Sequence, residues 1–122
     1  MPSAERLEAF IAAVEGGDHV KAIEGYYTEN ASMRENQAEP RRGRPVLVAN
    51  EAAVLARMAS VISKCVRPVL VNGDHVVIRW IFDFTNKDGR GMHIEELAWQ
   101  RWEGDRIAEE EFFYDPAQMR AR

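Results

Sequence analysis

Leu7, Phe10, Ile11 and Val14 fall at the i, i+3, i+4, i+7 spacing of a single helical stripe, so the chain opens with an amphipathic helix. Ser3 is placed to cap it, and Gly16-Gly17 supplies the left-handed residue that ends it. Asp18 then caps a short second helix that turns Val20, Ile23 and Tyr26 or Tyr27 inward. Thr28-Glu29-Asn30 breaks this period. Ala31 to Asn36 reads as a short strand, and Gln37 to Gly43 as a polar loop. Pro45 suits the first turn of a third helix, where its missing N–H is no loss. The apolar side of that helix runs through Val46, Leu47, Val54, Leu55, Met58, Val61 and Ile62, to about Ser63.

From Cys65 the period changes to that of strands. Cys65 to Val71 is one strand, Asn72-Gly73 is a hairpin signal, and three β-rich runs follow between Asp74 and Asp115. Asn86-Lys87-Asp88-Gly89 and Glu103-Gly104-Asp105 separate those runs, and the tail after Pro116 is loose or a surface helix. The order helix, helix, strand, helix and then four strands in hairpin succession predicts an α+β domain with helices on one face of an antiparallel sheet. One domain spans residues 1–122.

Treating Lys87-Asp88 as a two-residue loop fixes a register. It sets Trp80 opposite Glu95, Ile78 opposite Leu97 and Val76 opposite Trp99 on one face, which gathers Trp80, Phe82 and Trp99. The other face pairs Arg79 with Glu96, Asp83 with Met92, Ile81 with Ile94 and Val77 with Ala98, and includes Gln100. The loop after Glu103 leaves two arrangements of the last strand. Either Glu110, Phe112 and Tyr114 or Glu109, Glu111, Phe113 and Asp115 share the Arg79 face.

Composition narrows the function. Among 122 residues the net charge is −4, which argues against nucleic acid or an anionic membrane as partner. The Arg41-Arg42-Gly43-Arg44 run is too short to reverse that balance. A single cysteine, Cys65, excludes an internal disulfide and a cysteine-rich zinc site, and His19, His75 and His93 stand at no metal-ligand spacing. No apolar run reaches the roughly 20 residues of a membrane span, and MPSAERLEAF lacks the pattern of a signal peptide. The expected location is cytoplasmic. No Walker loop, nucleophile elbow or dinucleotide fingerprint occurs, so no cofactor is expected.

The helix hairpin, the YYTENASM segment, GRPV opening a long helix, and a meander ending in RIAEEEFFYD resemble the nuclear-transport-factor-two-like superfamily. Within it the chain is most similar to the SnoaL-like polyketide-cyclase group. The resemblance runs from about Leu7 to Asp115. It implies a cone-shaped α+β barrel, with three N-terminal helices packed on a strongly bent antiparallel sheet enclosing a pocket, and a homodimer formed through the sheet. The scaffold hosts isomerases, cyclases, dehydratases, epoxide hydrolases and binders without activity, so fold alone does not select an activity.

Compared with ketosteroid isomerase, the general-base position falls on Glu35. The oxyanion donors of that enzyme correspond to Phe10 and Ala98, so steroid isomerisation does not carry over. Compared with limonene-epoxide hydrolase, Asn36 matches the water-holding asparagine, while the tyrosine and last-strand acid positions are Arg34 and Phe112. The site implied for this chain has Glu35 and Glu96 as catalytic carboxylates. Asn36, Arg79, Asp83, Gln100 and Tyr114 bind the substrate, a small apolar or carbonyl-bearing molecule.

Two functions follow. One is a cofactor-free isomerase, cyclase or hydrolase working by carboxylate acid–base chemistry, and it requires Glu35 and Glu96 in one cavity. The other is a ligand-binding or dimeric assembly module with a vestigial pocket. Ligand-induced thermal stabilisation and oligomeric state separate them.

Overall fold

The computed structural model describes residues 1–120. The helices are α1 (Ala4–Glu15), α2 (His19–Tyr26) and α3 (Arg44–Ala56), and the strands are β1 (Tyr27–Glu35), β2 (Arg41–Arg42), β3 (Met58–Asn72), β4 (His75–Asn86), β5 (Gly91–Glu103) and β6 (Arg106–Phe113). The strands form one curved, unclosed sheet in the order β2-β1-β6-β5-β4-β3. A 3-10 turn, Pro116–Met119, follows β6, and the expected tail continues into residues 121–122, which lie outside the described residues.

The first helix forms as its pattern requires. Ser3 accepts a hydrogen bond from the Arg6 N–H at 3.0 Å, and Leu7, Phe10, Ile11 and Val14 are all buried. Phe10 meets the rings of Tyr26, Tyr27 and Trp102 edge to face. Trp80, Trp102, Phe10, Ile11 and Ile78 are among the fully buried side chains between helices and sheet, each stabilising the fold by about 1.5–3 kcal/mol.

Three expectations are corrected. The third helix stops at Ala56, and Met58 to Ser63 belongs to β3, a strand of 15 residues, with Ile62 67% exposed. Met58, Val61 and Ile62 fit the helical spacing, and pairing Ser60 with Thr85 and Ser63 with Phe82 decides for the strand. The sheet is antiparallel except at one seam, where β1 runs parallel to β6, pairing Ser32 with Glu109 and Glu35 with Phe112. Arg41–Arg42, read as loop, is a short edge strand against Ser32 and Met33.

The central hairpin also differs from the expected register. Its loop is Lys87-Asp88-Gly89, closed by Asn86 N–H to Arg90 C=O at 2.7 Å and Gly89 N–H to Asn86 C=O at 3.0 Å. Gly89 takes φ 87°, the left-handed residue of a three-residue hairpin loop. Trp80 therefore pairs with Glu96, Ile78 with Ala98, Val76 with Gln100, and Arg79 with Leu97. The one-residue slip exchanges the faces of β5 relative to β4.

Candidate functional site

Between the helices and the inner face of the sheet lies a cavity of about 220 Å³. Its wall is largely apolar. Phe10, Ile23, Met33 and Val54 come from the helical side and β1, and Trp80, Phe82, Phe84, Ile94 and Phe112 from the sheet. Set into this wall are four carboxyl side chains, Glu35, Glu51, Glu96 and Glu110, together with Arg41, His19, Tyr27 and Tyr114.

The strand registers explain which of these point inward. Alternation along β4 buries Val76, Ile78, Trp80 and Phe82, so their partners on β5 face the same way, Glu96 and Gln100 among them. The turn after Glu103 is a two-residue loop, Gly104-Asp105, with Glu103 opposite Arg106. On its own it would set Glu109 opposite Gln100. One extra residue, the bulge at Ala108, brings Glu110 there instead and turns Glu109 outward.

Glu110 heads a buried hydrogen-bonded chain. The Tyr27 hydroxyl donates to one carboxyl oxygen, the Gln100 amide donates to the other at 2.6 Å, and Trp102 Nε1 donates to the Gln100 oxygen at 2.9 Å. Burial pushes the Glu110 carboxyl up to about 7 against the opposing pull of the Tyr27 and Gln100 hydrogen bonds. Burial, followed by the Glu110 charge, lifts the Tyr27 phenol well above its ordinary range.

Glu96 is held differently. It has no hydrogen bond or ion pair to any of the described residues, and burial in the apolar wall raises it to about 8, with smaller pushes from Glu110, Glu35 and Glu51. Its carboxyl group therefore exchanges a proton close to neutral pH, the condition under which a carboxyl serves as general acid or base.

Glu35 lines the same cavity but is clamped. Arg41 donates to its two oxygens at 2.7 and 2.8 Å, a bidentate pair that occupies both of them. His19 lies between Ser63, with Nε2 to Oγ 2.8 Å, and Glu51, with Nδ1 to Oε1 3.4 Å, which ties α2 to β3 and α3. Burial raises the Tyr114 phenol, aided by the Glu35 and Glu96 charges.

Of the residues expected from the sequence, Glu35, Glu96 and Tyr114 line the cavity. Gln100 lies behind it, fully buried, and reaches it through Glu110. Asn36 does not line it. Its φ of 47° makes a turn, and its side-chain oxygen accepts from the Tyr114 N–H at 3.0 Å, so it anchors the end of β6. Arg79 and Asp83 are on the opposite, outer face. Arg79 is 3.9 Å from Glu95, and Asp83 is 2.6 Å from His93. The expected Arg79–Glu96 pair and the joint Trp80–Trp99 face are thus both undone by the hairpin slip, since Trp99 is 50% exposed on the outside. Sequence reasoning passed over Tyr27, Arg41, Glu51 and His19 as site residues. Only the position of Arg41 six residues after Glu35 carried any trace of them.

Among the described residues no group of three metal-ligating side chains occurs, and no helix is long and apolar enough to cross a membrane. No curated protein matches the sequence. Solved structures share the fold. A protein named a SnoaL-like polyketide cyclase from Mesorhizobium loti superposes with TM-score 0.76 at 23% identity, over 91% of this chain and 97% of that one. An epoxide hydrolase of M. tuberculosis, like limonene-epoxide hydrolase, gives 0.76 at 14% identity over 94% and 84%. A protein with a ketosteroid isomerase-like fold from Catenulispora acidiphila, in complex with trimethylamine, gives 0.78 at 18% over 95% and 89%. Residues 7–110 match the family model described as the SnoaL-like domain, and with the helices, sheet and cavity arranged as above, the chain belongs to the SnoaL-like family.

Proposed function

We propose that this SnoaL-like domain is a cofactor-free isomerase, cyclase or hydrolase that moves a proton on a small, mainly apolar molecule through Glu96. The observation that carries this reading is a carboxyl group with no protein partner among the described residues, facing an apolar cavity and raised to about 8. A carboxyl in that state donates or accepts a proton without first breaking an internal bond. Glu35 keeps a supporting role. Its charge, neutralised by Arg41, orients a polar atom of the ligand together with Tyr114. Glu110, seated on Tyr27 and Gln100, holds the floor of the pocket.

The test is a thermal-shift screen of small ketones, lactones and epoxides, followed by α-hydrogen exchange into deuterated solvent for any ketone that binds. Ligands that stabilise the protein should undergo exchange or ring opening, and Glu96→Gln should retain binding while turnover falls by about 10²–10⁴-fold. Equal turnover by Glu96→Gln removes Glu96 from the chemistry, and a screen with no stabilising ligand removes the reading altogether.

The outer face supports a homodimer through the sheet. Leu97, Trp99 and Phe113 are exposed together on adjoining strands, with Arg79, Asp83, Glu95 and Glu109 among them.

A further inference from the structure

Among the described residues, the cavity is lined by four carboxyl side chains against one arginine and one histidine. Of its four carboxyl groups, Glu35 is neutralised by Arg41 and Glu51 lies 3.4 Å from His19. The other two face no cation among the described residues. Glu110 is bonded only by neutral donors, the Tyr27 hydroxyl and the Gln100 amide, and Glu96 by none. Against them stand aromatic rings. Trp80 and Phe82 stack at 5.6 Å between centroids, Phe84 adjoins Phe82 at 6.0 Å, and Phe112 lines the same cavity from β6.

Each class of ligand meets this wall differently. An anion finds Arg41, the cavity's one arginine among the described residues, already engaged by Glu35. A neutral hydrocarbon is accepted by the rings but leaves the two acids unused. A metal ion would need its oxygen ligands gathered, and no such group exists among the described residues. An ammonium nitrogen carrying apolar substituents is attracted both by ring faces and by carboxylates, and its low hydration suits an apolar wall.

We propose that the cavity recognises a small organic ammonium ion, whose cationic nitrogen is held between Glu96 and the aromatic rings of β4. This deepens the reading of the same pocket as a proton-transfer site and rests on it, naming the charge of the ligand. A consequence follows from burial. Glu96 and Glu110 are raised to about 8 and about 7, so near neutral pH the empty cavity carries protons on them. A bound cation favours their ionised forms and expels a proton to solvent.

The experiment is calorimetric titration of the full chain with choline and with its uncharged isostere, in which a tert-butyl group replaces the trimethylammonium. Two buffers of different ionisation enthalpy report the proton count. Choline is expected to bind at least about tenfold more tightly than the isostere, with proton release and with affinity rising from pH 6 toward pH 9. Glu96→Gln should cost about tenfold in choline affinity and remove part of the proton release. Phe82→Leu, which keeps an apolar wall without a ring face, should weaken choline and spare the isostere.

Equal binding of the two compounds, or choline affinity unaffected by pH and by Glu96→Gln, overturns the ammonium proposal while leaving proton transfer on a neutral ligand intact. Absence of choline binding overturns it as well. Failure of the ketones, lactones and epoxides to bind removes the proton-transfer reading whatever the choline result.

Discussion

Glu96 and Glu110 are the residues at which burial changes chemistry most directly. Both carboxyl groups sit well above their ordinary value of 4.5, at about 8 and about 7. The folded protein therefore keeps protons that the unfolded chain has already lost between pH 4.5 and about 8, so stability is full below that window and falls as pH rises through it. Chemical denaturation at pH 5 and pH 9 should show this decline. Glu96→Gln should show less of it and become more stable than the parent above pH 8, by on the order of 2–3 kcal/mol. A parallel decline in both proteins would place the linkage elsewhere. Tyr27 supports the same site through its hydrogen bond to Glu110. Tyr27→Phe leaves a fully buried carboxyl with one donor fewer, and urea denaturation should record a loss of about 1–3 kcal/mol.

At the scale of elements, the β4–β5 hairpin decides which side chains meet. Gly89 in the left-handed region makes the loop three residues long, and that single residue separates Glu96 from Arg79. Deleting Gly89 should enforce the two-residue loop, rotate Glu95, Leu97 and Trp99 inward, and abolish cooperative unfolding by circular dichroism. Gly89→Ala is a milder change. A Cβ there meets nothing within 4 Å, so only the backbone conformation is strained, at about 1 kcal/mol. The bulge at Ala108 does for β6 what Gly89 does for β5, selecting Glu110 from three consecutive glutamates as the inward one. The boundary between α3 and β3 follows the same rule that pairing partners override local pattern, because Met58 to Ser63 carries an apolar spacing that serves either structure.

For the whole molecule, the asymmetry of the sheet is the central fact. Its inner face is covered by α1, α2 and α3 and holds the cavity, while its outer face leaves Leu97, Trp99 and Phe113 in contact with water. On the dimer proposal, light scattering of the purified chain at micromolar concentration should report twice the monomer mass. Trp99→Asp should return it to the monomer without loss of secondary structure. A monomeric parent protein would count against a dimer through this face.

The sequence by itself determined the elements whose pattern admits one solution: the α1 stripe, the capped start at Ser3, the hairpin near Asn72-Gly73, the strand-rich second half, and an α+β fold resembling the SnoaL-like group. It also brought Glu35, Glu96 and Tyr114 forward as candidates. Tertiary structure alone decided their company. Strand side chains alternate with a period of two, so one residue more or less in a loop or bulge exchanges the faces, and neither Gly89 nor Ala108 announces its count in a local pattern. Tyr27 and Glu110 lie 83 positions apart in the chain, with Gln100 and Trp102 between them, and only folding brings the four into a single buried network. Burial is likewise a property of the assembled wall, and it is burial that turns Glu96 from an ordinary surface-type carboxylate into a group that exchanges protons near neutrality.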